Sequence, residues 1–187
     1  MNAITHYIQA EIRVWVWSGF HSVDKVDVLI ADALEAEGKR DADPALLRAF
    51  AAAEFQKRAV AKRSWPETTD CDRLDRSFEA LNSRGIISLH NAGNTISDGI
   101  GDVREVAHER GRNVVAGYCF YHGQDVARTL AGDGLMLAFG VLDDDKAKGV
   151  AIGRSIADVL EAGGLVVDWN GRPDTRLRLD GFDWKRR

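Results

Sequence analysis

Three segments decide the fold: Ile86-Ile87-Ser88-Leu89-His90-Asn91, Val114-Val115-Ala116-Gly117-Tyr118-Cys119-Phe120-Tyr121 and Leu135-Met136-Leu137-Ala138-Phe139-Gly140. Each is a short apolar run bounded by glycine or polar residues, the pattern of a strand buried on both faces. Gly117 lies inside the second run, where a missing side chain marks a close backbone approach or a bulge. Between the first two runs, Ser97 or Asp98 can start a helix that ends near Gly111. Between the last two, a brief helix is expected over about Gln124–Leu130, and Gly132-Asp133-Gly134 turns the chain.

Upstream, the sequence reads as helix. Ile4, Ile8, Ile12 and Trp15 make one stripe over residues 3–17, and Gly19 supplies the stop. Val14-Trp15-Val16-Trp17 has strand propensity too, but the preceding stripe is helical, and both tryptophans are expected in core packing. Ser22 caps a second helix running to about Glu37, where Gly38 ends it. Asp43-Pro44 pairs a capping side chain with proline at the first helical position, opening a third helix to about Arg63. Pro66 disfavours helix at Trp65, so Ser64–Thr69 is a break. Thr69 or Asp70 then caps a helix over Cys71–Ser83, with Leu74, Phe78 and Leu81 as its stripe and Gly85 as its stop.

Downstream, Asp143-Asp144-Asp145 precedes a helix to about Ala162, the acidic start complementing the helix dipole. Leu165–Trp169 and Thr175–Leu179 read as a hairpin joined by a long loop. The fold class expected is α+β, or mixed α/β. An N-terminal helical segment, residues 1–64, packs on a core domain, residues 65–187, whose roughly five-stranded mixed sheet ends in two antiparallel strands.

Composition limits the function. The chain has 187 residues with 45% hydrophobic and 29% charged, ordinary for a soluble globular protein. Net charge is −4 and the pI about 5.7, which argues against nucleic acid as a partner. The basic run Lys185-Arg186-Arg187 is expected as a solvated end. The two cysteines, Cys71 and Cys119, form no CxxC pair; two reduced thiols is the simpler reading, although a disulfide is open. No apolar run approaches the ~20 residues of a membrane span, and the first residues lack the pattern of a signal peptide.

Motif tests mostly fail. Gly99-Ile100-Gly101 is not a dinucleotide fingerprint, because Arg104 occupies the sixth position. Asn94–Gly99 resembles a calcium loop only superficially, with Ile96 where an oxygen donor belongs. The five histidines have no ligand spacing, so no metal is expected. What survives is positional. In sheets with parallel neighbours, ligands sit beyond the carboxyl ends of the strands. His90 and Asn91 end the first strand, Tyr121 and His122 the second, and Asp125 opens the next helix. With Asp98 these form the candidate pocket, in which Asp125 or Asp98 orients a histidine as a general base. The bland reading is that both histidines are ordinary surface or core residues. Cys119 is a conceivable nucleophile but is expected as a small buried hydrophobe. Thr68–Arg73 offers an anion site at a helix start, or simple self-capping, which Asp70 and Asp72 favour.

Taken together, Trp65, Thr68-Thr69-Asp70-Cys71-Asp72-Arg73-Leu74, Phe78, Leu81-Asn82, Gly85-Ile86, His90-Asn91-Ala92-Gly93, Ser97-Asp98-Gly99, Gly117–Asp125 and Leu137–Gly140 resemble a bacterial family of unknown function. The resemblance covers about Trp65 to Arg187 and carries over no catalytic residue. The last helix and strand pair also resemble ferredoxin-like regulators such as the ribonuclease E inhibitor family, in a pattern of helix, glycine, strand and acidic-aromatic turn. That likeness implies a binding role. The resulting expectation is a cytoplasmic protein-binding or regulatory module without cofactor, with a protein partner and no nucleic acid or membrane. The alternative is a cofactor-independent enzyme or small-ligand binder using the candidate pocket.

Overall fold

The computed structural model describes residues 3–36, 42–143 and 145–187. They fall into two compact units, one of residues 1–67 with 185–187 and one of residues 68–184. The expected end of the second helix at Gly38 lies outside the described residues.

The first unit holds α1 (Ala3–Ser18), α2 (Val23–Ala36) and α3 (Pro44–Ala61). Ile8, Ile12 and Val16 of α1, Val26, Ile30 and Leu34 of α2, and Leu47 and Ala51 of α3 form its core, and Trp15 and Trp17 pack against it as expected. Gly19, at φ +81°, ends α1. The Asp43 carboxylate accepts from Ala45 N–H with Pro44 at the helix start, the cap the sequence predicts. Glu54 is buried, accepting from Trp17 Nε1 at 2.8 Å and pairing with Lys57 Nζ at 2.7 Å. The tail is not a solvated end. Arg58 Nη2 donates to the Arg186 carbonyl at 2.6 Å, the Arg186 guanidinium lies 4.7 Å from the Phe20 ring centre, and Arg187 donates to the Pro66 carbonyl.

The second unit is α4 (Asp70–Ser83), β1 (Ile86–Leu89), α5 (Ile96–Arg110), β2 (Gly117–Phe120), α6 (Gly123–Leu130), β3 (Leu135–Gly140), α7 (Lys146–Ala162), β4 (Val167–Asp168) and β5 (Leu177–Leu179). The five strands form one mixed sheet in the order β1-β2-β3-β5-β4, parallel only between β1 and β2, so the α+β class holds. β2 begins at Gly117 rather than Val114. Gly111, at φ +88°, turns the chain into a single 3-10 turn over Arg112–Val114 first. The closing strands are shorter than Leu165–Trp169 and Thr175–Leu179, but antiparallel as expected.

The pleat assigns the two faces. Phe120 pairs with Ala138, and with Ile87 they meet Val103 and Ala107 of α5. Cys119 and Phe139 point the other way, toward α7. A methyl group on Gly117 would lie 2.8 Å from both the Gly140 carbonyl and Ile152 Cγ2 of α7, so the close approach read from the sequence is real. The crossover that two parallel neighbours need is made by α5. α5 opens two or three residues earlier than Ser97 or Asp98: Thr95 is the cap, in a reciprocal box with Asp98. α4 is self-capped by Thr69 and Asp72, and Arg73 pairs with Asp70 at 2.6 Å, which is the bland reading of that helix start.

Candidate functional site at the carboxyl edge of the parallel strands

Because β1 and β2 run parallel with Leu89 opposite Phe120, the chain leaves both strands side by side at His90 and Tyr121. The two exits are then stitched together. Ala92 N–H donates to the Tyr121 carbonyl at 2.9 Å, and Gly123 N–H donates to the Gly93 carbonyl at 3.0 Å. Asn91 takes φ +48° and Gly93 φ +58°, bending the first exit tightly onto the start of α5. A side chain on Gly93 would collide with Asp98. Asp98 itself accepts from the Thr95 and Asn94 backbone N–H groups at 2.9 and 3.1 Å. Hydrogen bonding by Thr95 and then Asn94 holds its carboxyl below the usual range.

Four of the six predicted residues fall into two polar groups, while Asn91 and Asp98 belong to the loop between β1 and α5. In the first, His90 Nδ1 lies 2.9 Å from the Tyr121 hydroxyl, and His90 Nε2 lies 3.5 Å from an Asp75 oxygen. Phe78 packs against the imidazole with ring centres 4.6 Å apart. Tyr121 is fully buried, its ring edge-on to Trp184. With Nε2–H directed at Asp75, the tautomer consistent with these distances has Nδ1 accepting from the tyrosine hydroxyl.

The second group surrounds a buried carboxylate. Asp125 accepts from His122 backbone N–H at 3.1 Å, and His122 Nε2 stands 3.2 Å from the same oxygen, Oδ2. Arg176 approaches with both terminal nitrogens, at 3.0 and 2.6 Å, while Arg128 lies 3.4 Å away. Arg176 also donates to the Met136 carbonyl at 2.8 Å, which anchors the guanidinium to β3. Such a fork-to-carboxylate pair fixes geometry as well as charge. The His122 ring is buried at the head of α6, where it forms a reciprocal capping box with Asp125, and its Nδ1 makes no further hydrogen bond among the described residues.

Burial lowers the His122 pKa; the Asp125 carboxylate opposes this, and the Arg176 and Arg128 charges reinforce it. The imidazole is therefore neutral near pH 7, with Nε2–H aimed at Asp125 and a lone pair on Nδ1. Asp98 touches this group only through its field on His122. Asn91, at φ +48°, belongs to the tight turn that follows β1. Thus Asp125 lies against His122, while His90 lies against Asp75, which sequence reasoning did not single out.

Asp75 and Arg176 are the residues that the sequence reading missed. Asp75 sits on α4 facing the exit of β1. Arg176 precedes β5, where Leu177 and Leu179 are buried and Arg178 is exposed. An arginine in that alternation is an unremarkable surface residue until its partner on α6 is known. Cys119 is fully buried, and burial pushes its thiol up, so it is a packing group rather than a nucleophile. Both cysteines are buried thiols. Among the described residues, no His, Cys, Asp or Glu group of three or more converges as metal ligands would, and no helix is long and apolar enough to cross a membrane.

No curated protein and no solved structure matches the chain. The likeness to ribonuclease E inhibitor regulators therefore finds no support there. The likeness read from Trp65 onward does hold, and it reaches further than expected, through the three N-terminal helices. The chain belongs to the family described as domain of unknown function DUF6891, whose model matches residues 1–187.

Proposed function

We propose that this chain is a bacterial, cytosolic regulatory module that binds a small polar ligand at the carboxyl edge of β1 and β2, without a cofactor. The observation that carries this reading is the buried His122 Nδ1 atom, which makes no hydrogen bond beyond the capping box at the start of α6. Leaving a buried acceptor unmade costs about 1–3 kcal/mol. A ligand O–H or N–H donor offsets that cost on binding. The Asp125–Arg176 clamp supports the reading, because it fixes which imidazole nitrogen is presented. The two buried thiols accord with a reducing compartment, and the motifs from Thr68 to Asp125 with the bacterial setting.

The test is a ligand-observed NMR screen of small hydroxyl- and amide-bearing fragments against the native chain and His122→Phe. The fragments that bind should lose binding in the variant and shift the His122 ring nitrogens in the native protein. Binding that is equal in both proteins, or no binding at all, would remove the proposal.

A further inference from the structure

On the α7 face of the sheet, α4 and α7 bound an open cleft of about 530 Å³. Its α4 wall carries Arg73, Arg76 and Arg84, with Ser77 and Ala80 between them, and its α7 wall carries Asp158. The floor is made by small groups: a methyl on Gly163 would lie 2.5 Å from Ser77 Oγ, so the helices meet there and the arginines rise around the meeting point. Arg73 is engaged by Asp70 at 2.6 Å. The side chains of Arg76 and Arg84 have no hydrogen-bond or ion-pair partner among the described residues, and neither does the Asp158 carboxylate across the cleft. In a chain of net charge −4, this is a local excess of positive charge.

We infer that this cleft docks an acidic, extended segment of a partner protein. Charge complementarity selects an anionic occupant, and guanidinium forks suit carboxylates. The spacing selects a segment over a small anion. Arg73 to Arg84 spans 11 helical rises, about 16 Å at 1.5 Å per residue, several times the width of one phosphate or carboxylate. Asp158 limits the fit, since it repels a carboxylate placed against the α7 wall and so confines the acidic side chains to the α4 side. This surface is separate from the β1/β2 edge and stands or falls independently of the ligand site there.

The experiment is fluorescence anisotropy of the full chain with a labelled 10-residue peptide of alternating Glu and Ala, and with its Gln counterpart. The expected result is saturable binding of the Glu peptide only, weakened at least tenfold by Arg76→Gln with Arg84→Gln. Asp158→Asn should tighten it a few-fold, a gain that a misfolded variant cannot give. Three results would overturn the inference: no binding of the Glu peptide, binding that both arginine substitutions leave unchanged, or full displacement by millimolar inorganic phosphate, which would mark a small-anion site. Circular dichroism of each variant separates lost binding from lost folding.

Discussion

Arg176 grips Asp125 with both terminal nitrogens, at 3.0 and 2.6 Å, across 51 residues of chain. Because the Asp125 side chain is wholly buried, losing Arg176 leaves its charge only the half-exposed Arg128 and the His122 hydrogen bond as partners. Arg176→Met should therefore destabilise the chain by about 3–5 kcal/mol. The double variant Asp125→Leu with Arg176→Met should recover most of that loss, since a hydrophobic replacement of the whole pair is near neutral. Urea unfolding of the two singles and the double closes the cycle; simple additivity would contradict the coupling.

His122 gives the protein a pH dependence of stability. Its folded pKa lies below the ordinary value of 6.5, chiefly because of burial. The unfolded chain thus binds this proton more readily than the folded one. The stabilisation is full above pH 6.5 and is lost as pH falls below 6.5 toward the folded pKa. His21, which burial also lowers, adds to the slope with the same sign. The drop in urea midpoint between pH 7.5 and 5.5 should be smaller in His122→Phe than in the native chain. An equal drop in both would assign the slope elsewhere.

Two glycines of α5, two positions apart, should respond with opposite signs. A methyl on Gly99 would lie 2.6 Å from Phe120 Cδ2, against a fully buried ring. Gly99→Ala gains about 1 kcal/mol of helix propensity but forces the core apart, and overpacking costs about 1–3 kcal/mol or more. Gly101 has nothing within 4 Å of its missing methyl. Gly101→Ala should therefore stabilise by about 0.5–1 kcal/mol. Thermal midpoints of both variants, measured side by side, give the sign directly.

In the helical unit, Arg186 lies over Phe20 with its guanidinium carbon 4.7 Å from the ring centre. Arg186→Gln should cost about 0.5–1 kcal/mol, the worth of such a contact at a partly exposed site. Amide exchange in α1 and α3 should quicken while that of β2 and β3 stays unchanged. Uniform quickening would show that the two units open together.

Much of this architecture is local chemistry and could be read without coordinates. Asp43-Pro44, Thr69 and Gly85 mark their helix ends because caps and stops act within four residues. The carboxyl edge was legible for a similar reason: His90 and Tyr121 each follow a strand directly, and His122 lies three residues from Asp125. The boundary of β2 was not. Val114 has strand propensity, yet it is 60% exposed in a 3-10 turn, because Gly111 redirects the chain ahead of it. The start of α5 was misplaced although Thr95-x-x-Asp98 spells a capping box. Asp75 and Arg176 escaped notice because what gives each its role lies on another element, beyond the range of any periodic pattern.

The chain order of the two units has a consequence for how the protein is made. The helical unit is split: residues 1–67 emerge first, but 185–187 follow only after all of the α/β unit has been synthesised. Domains usually fold from the amino end as they appear. Here the helical unit starts to emerge before the α/β unit and is completed after it. Until then Arg58 and Phe20 wait for their Arg186 contacts, and a holdase that retains residues 185–187 would act on a helix residue 128 positions earlier.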